Sequence, residues 1–174
     1  MMAVTLTTPN TLLGTMAPKS DSVRLAVTLA TVIVGTLFLT LCSKISVPVW
    51  PVPVTLQTFG VVALAAAFGW RVGLATVTLY IAEGLAGLPV FAGAAAGPAY
   101  LFGPTGGFIV SWFVVAVIVG RAADLGLSRR LLPLFAVMLA ADVVNFALGY
   151  TWLVVVLAGL KQVSPAAVMG AAFD

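Results

Sequence analysis

The chain has 174 residues, 62% of them hydrophobic and only 7% charged, with a mean hydropathy of +1.20. A soluble fold of this size carries about a quarter charged residues to cover its surface, so the composition excludes an ordinary aqueous domain and points to the lipid bilayer. The absence of histidine removes imidazole-based metal, haem and nucleophile sites, and a net charge of +3 from scattered Lys and Arg leaves no footprint for nucleic acid.

Residues 1–22 are rich in Thr, Pro and Ser and lack a long apolar run. They are expected to form a disordered tail ahead of one transmembrane helical domain over 23–174. Lys19 and Arg24 precede the uncharged run 25–42, which is long enough to span and is followed by Lys44. It reads as a retained first helix rather than a cleaved signal. The single cysteine, Cys42, closes this run as a small hydrophobe without a disulfide partner in the chain.

Pro48, Pro51 and Pro53 forbid helix in SVPVWPVPV, which must be extended. Thr55 then supplies the N-cap of a short second helix reaching about Trp70, and a third runs from Arg71 to about Gly87. From Leu88 to Gly107, three prolines and glycines at 93, 97, 103, 106 and 107 predict a long loop, a feature that in a compact membrane protein is usually a lid or otherwise functional. A fourth helix follows at about 108–123. The basic turn RAADLGLSRR leads to a fifth at about 131–149. TWLVVVLAGL and AAVMGAAF are then separated by Lys161, Gln162 and Pro165, and neither piece is long enough to cross. The expected fold is an all-α membrane protein with five complete spans and two non-helical loops.

The positive-inside rule places the N-terminus in the cytoplasm, with Lys19, Arg24, Arg71, Arg121, Arg129 and Arg130 inside and Lys44 and Lys161 counted outside. Both irregular loops then lie on the outer side. Irregular backbone is tolerated at a membrane only where it is buried in protein or lines a cavity. The loops are therefore expected to cap an outer pocket to which Trp50, Phe91, Tyr100 and Phe102 bring ring surface. The alternative for Trp50 and Tyr100 is an interfacial aromatic belt.

Glu83 and Asp142 are carboxylates within predicted spans, and each marks a site because an intramembrane charge is costly. Thr76, Tyr80, Glu83, Gly84 and Gly87 share one narrow polar or small face of the third helix, and Asp142 and Asn145 share a face of the fifth. Hydration at the interface remains the alternative for Glu83, and pairing with a loop arginine or with Asn145 for Asp142. Thr55, Gln57 and Thr58 open the second helix, whose free amides suit an acceptor group. GPTGG lacks the Lys-Ser/Thr of a phosphate loop. Ala26 and Ala30, with Gly35 further on, form a small-residue groove that lets another helix approach.

The paired segments PVPVTLQTFGVVALAAAFGWRVG and GLPVFAGAAAGPAYLFGPTGGF resemble the BioY family, the biotin-binding S-components of energy-coupling factor (ECF) vitamin transporters, over about residues 24–165. The resemblance implies a six-helix bundle in a bacterial plasma membrane that captures biotin from outside without chemical change. It further implies a partnership with a membrane T-component and a pair of ATPases, docked through Ala26 and Ala30, although some members are thought to work without that module. Thr55, Gln57, Tyr80, Glu83, Phe91, Tyr100 and Asn145 are the expected ligand-binding residues, with no catalytic residue, cofactor or metal. Members resembling this chain carry a final helix with a Gly-Asp-x-x-Lys pattern. That helix is expected to be missing here, since the sequence stops at Asp174. The competing readings are a binding subunit for another vitamin and a non-catalytic assembly subunit. An intramembrane enzyme is disfavoured by the lack of a His base and of a G-x-S-x-G elbow.

Overall fold

A computed structural model describes residues 10–15 and 20–161. In chain order the elements are α1 (Leu12–Thr15), α2 (Asp21–Lys44), strands β1 (Ser46–Val47) and β2 (Val54–Thr55), α3 (Gln57–Phe68), α4 (Trp70–Leu85), α5 (Pro98–Leu101), α6 (Gly106–Asp124) and α7 (Leu131–Lys161). Single 3-10 turns at Ala92–Ala94 and Leu127–Arg129 complete the order.

Among the described residues, α2, α6 and α7 are long and apolar enough to cross a bilayer. With 12 and 16 residues, α3 and α4 fall short of the roughly 20 that a span takes. The five full-length spans expected from sequence are thus three long helices and a shorter antiparallel pair. The prolines consume the start of the apolar run that α3 would otherwise fill, and Gly69 (φ +85°) turns the chain between α3 and α4. The proline segment is not simply extended coil, because β1 and β2 pair antiparallel, Ser46 opposite Thr55 and Val47 opposite Val54.

The fifth helix continues well past Gly149, so TWLVVVLAGL is its last part and not a separate piece. Gly149 is a notch for a neighbour and not a stop: a Cβ there would collide with the Phe108 ring. The long loop also carries more structure than expected, since Ala92–Ala94 and Pro98–Leu101 each form a turn of helix. Residues 10–15 of the expected disordered tail are ordered. The Asn10 side-chain amide donates to the Asp124 carbonyl at 2.8 Å, and Thr11 is buried. Those partners lie at the far end of the bundle, out of reach of local composition. Asp21 and Ser22, also assigned to the tail, open α2 instead, while residues 1–9 and 16–19 and AAVMGAAF lie outside the described residues.

The core is built around α6, which packs against α3, α4 and α7, while α2 lies outside on α4 and α3. Buried Ile109, Trp112, Val115, Ala116 and Val119 form the inner face of α6. The exposed leucines and isoleucines of α2, such as Leu29, Ile33, Leu37 and Leu41, form a surface suited to lipid. At the end opposite the hairpin, Arg121 sits over the Trp70 ring at 4.6 Å and Arg71 at 5.5 Å, a cation–π cluster that closes the α3–α4 turn against the end of α6.

Candidate functional site

Both α3 and α7 lie along α6 without packing along each other, and the cleft between them forms a cavity of about 640 Å³. That is within the range of small-molecule sites. The hairpin contributes Val52–Thr55, α3 contributes Gln57, Thr58, Phe59 and Val62, and α6 with its cap contributes Thr105, Phe108 and Trp112. The opposite wall is one continuous face of α7: Phe135, Met138, Leu139, Asp142, Asn145 and Phe146. These positions recur at the i, i+3, i+4, i+7 spacing that puts side chains on one stripe of a helix.

The polar groups of the hairpin and α3 side are held by a relay. The Thr55 hydroxyl donates to Gln57 Oε1 at 2.9 Å, Gln57 Nε2 donates to the Tyr80 hydroxyl at 2.6 Å, and that hydroxyl donates to the Val90 carbonyl at 2.7 Å. One chain of hydrogen bonds therefore runs from the hairpin through α3 and α4 into the second loop. Thr55 is not the N-cap residue, a position held by Leu56, but its oxygen still accepts from the Gln57 amide at 3.3 Å. Lys44 fastens the second loop from the end of α2 by donating to the carbonyls of Pro89 and Phe91, at 2.8 and 3.2 Å. Across the cleft the Ser111 hydroxyl lies 2.5 Å from Asn145 Oδ1 and 2.7 Å from the Phe108 carbonyl, so its one proton is shared between two acceptors. Trp112 Nε1 donates to the Thr58 hydroxyl at 3.2 Å.

Of the residues expected at the ligand, Thr55, Gln57 and Asn145 line the cavity, and Tyr80, Glu83, Phe91 and Tyr100 do not. Tyr80 stands directly behind Gln57, fully buried. The Phe91 ring meets Tyr80 edge-on at 5.6 Å and stacks on Tyr100 at 5.1 Å, so these three rings form a wedge that seats the second loop. Burial raises the Tyr100 phenol above its ordinary pKa, which keeps it a neutral hydroxyl. Glu83 turns to α2, where it accepts from the Thr36 hydroxyl at 3.1 Å. Trp50 and Phe102, expected to offer ring surface to a pocket, are 71% and 69% exposed. The rings that do line the cavity are Phe59, Phe108, Trp112, Phe135 and Phe146. Sequence reasoning missed all five of these rings, although the i, i+4 spacing of Phe108 and Trp112, which puts two rings on one face of a helix, was a usable signal.

Ala26 and Ala30 are exposed on α2, away from the cavity. Gly35 does not extend their groove: it faces inward, where a Cβ would come within 2.7 Å of the Thr76 methyl.

Comparison with known proteins follows the same outline. The model of the BioY family matches residues 15–173. The chain is 30% identical over 125 residues to "Biotin transporter BioY2" of Lactococcus lactis, covering 72% of this chain and 68% of that protein. It is 36% identical over 111 residues to "Probable biotin transporter BioY" of Pyrococcus horikoshii, covering 64% of each. The matched stretch thus spans about two thirds of these relatives' own length. Among solved structures, the S-component for biotin from an ECF-type ABC transporter superposes with a TM-score of 0.72 at 22% identity, over 86% of this chain and 80% of that one. At this identity the match establishes the shared fold.

Proposed function

The chain belongs to the BioY family, and from that premise we propose that it is the biotin-binding membrane subunit of a biotin uptake system, a transport component and not an enzyme. The observation that carries this reading is the mixed wall of the α3–α7 cavity, which has aromatic and aliphatic surface on most sides and a few oriented polar groups from Thr55, Gln57, Thr58 and Asn145. Biotin has matching needs: an apolar bicycle, a ureido group with two N–H donors and one carbonyl acceptor, and a carboxylate tail. In this reading Thr55, Gln57 and Asn145 touch the ligand. Tyr80, Phe91 and Tyr100 hold the elements that present them, and Glu83 secures α4 to α2.

The finer architecture belongs to the same proposal. The short pair α3 and α4 completes a set of five membrane helices, and the hairpin caps the cavity from outside, while the expected second cap, the loop after α4, supplies none of the lining between residues 88 and 104 and only braces the hairpin side through the Tyr80–Val90 bond. The arginine-rich end at Arg71, Arg121, Arg129 and Arg130 supports a cytoplasmic N-terminus. Coupling goes through an ECF T-component and its ATPase pair, met by the Ala26 and Ala30 face of α2. The test is calorimetric titration of the detergent-purified chain with biotin and, in parallel, with riboflavin and thiamine. Saturable binding of biotin alone is the expected result. Binding of another vitamin in its place would assign a different cargo, and no saturable binding would favour an assembly subunit.

A further inference from the structure

Asp142 is the one carboxylate on the cavity wall, and among the described residues it has neither a hydrogen-bond nor an ion-pair partner. Among those residues, no Lys or Arg lines the cavity. Nearby, Gln57 Oε1 accepts from Thr55 and the Thr58 oxygen from Trp112, so these neutral groups already take part in the protein's own hydrogen bonds. Asp142 is half-buried on a largely apolar wall, so a ligand that fills the cavity and shuts out water leaves the carboxylate without a partner unless it brings N–H donors of its own. One that brings a second anion adds repulsion.

We propose that Asp142 receives the ureido N–H edge of biotin and so fixes the ligand's direction in the cavity, an inference that rests on the biotin-binding reading above. The depth of Asp142 sets that direction. α6 and α7 run antiparallel, with Gly107 against Trp152, Phe108 against Gly149 and Ser111 against Asn145. Asp142 therefore lies one turn further from the hairpin than the Ser111–Asn145 bond. The ureido head enters first and lies deep, within one helical turn of the Asn145 side chain on the same wall. Repulsion from Asp142 turns the carboxylate tail away from it, toward the hairpin wall at Val52–Thr55. Asp142 then also acts as a selectivity element, because a ligand with an anionic head is refused at this depth.

The experiment compares three ligands on the full-length chain in detergent: biotin, biotinamide, in which the tail is neutral, and 2-iminobiotin, whose head is a guanidinium cation at neutral pH. In the parent protein 2-iminobiotin is expected to bind at least as well as biotin, because a carboxylate and a guanidinium form a charge-assisted pair. Its rejection by a protein that binds biotin would overturn the inference without touching the biotin reading. Asp142→Asn is expected to weaken biotin by about 10- to 100-fold and 2-iminobiotin by more, while the biotin-to-biotinamide ratio stays unchanged. Asp142→Glu, which keeps the charge, should retain the preference for the cationic head. Tightened biotin binding in Asp142→Asn would place the ligand carboxylate beside Asp142, unchanged binding would place neither end of the ligand there, and either result would sink the proposal. Failure of the parent to bind biotin at all would remove the functional reading and this inference together.

Discussion

The Gln57 side chain is buried at 4% exposure and spends its oxygen on Thr55 and an N–H on Tyr80, so its geometry at the cavity is set in part by Tyr80, a residue off the cavity wall. Tyr80→Phe removes the middle hydroxyl of that relay and leaves the Gln57 N–H and the Val90 carbonyl short of a partner. The expected cost is about 1–3 kcal/mol of stability, read as a lower melting temperature in detergent. Biotin affinity should fall with it, although Tyr80 is not a wall residue, and calorimetry on the variant checks this. An affinity equal to the parent would mean that Gln57 orients itself without Tyr80. The members of this relay were legible in the sequence because polar groups next to prolines at a helix start, and a tyrosine on a polar stripe of a membrane helix, are unusual in kind. Glu83 was legible as a buried-charge problem but not in its solution, since its partner Thr36 sits on another helix and no single-helix periodicity reveals it.

Helix α7 meets α6 through two glycines, one on each helix. A Cβ on Gly107 would collide with Cβ of Trp152, and one on Gly149 with the Phe108 ring. Close approach of this kind is how membrane helices associate when apolar burial no longer separates lipid from protein. Gly107→Ala forces the helices apart at the outer end, and overpacking of this sort costs about 1–3 kcal/mol. Gly159→Ala, where nothing lies within 4 Å, is the matched control and is expected to melt with the parent. Equal melting of both variants would show that the outer end of α7 yields freely. The same glycines explain a misread boundary. Gly149 followed by Tyr150 and Thr151 resembles a helix end when the chain is read alone, because glycine is both the commonest C-cap and the residue that admits a neighbouring ring. Proline positions carried no such double meaning. They located the non-helical hairpin correctly and left open only whether its arms pair.

Across the whole molecule, the ligand and partner surfaces separate by element. The cavity is walled by the hairpin, α3, α6 and α7, with no residue of α2, while Ala26 and Ala30 lie exposed on α2. α2 is secured from its other face, by Gly35 against Thr76 and by Thr36 on Glu83, so its outward face is free of structural duty in the bundle. Small residues on a lipid-facing helix leave a shallow groove, and a helix of a partner gains close backbone contact there. Ala30→Leu fills that groove without reaching the cavity. Biotin affinity and melting temperature are therefore expected to match the parent, while co-purification with a coexpressed ECF T-component and its ATPases falls severalfold. An unchanged yield of the complex would move the docking surface elsewhere. A loss of biotin affinity in the same variant would mean that α2 and the cavity are coupled through α4, by way of the Thr36–Glu83 bond and the Tyr80 relay on the same helix.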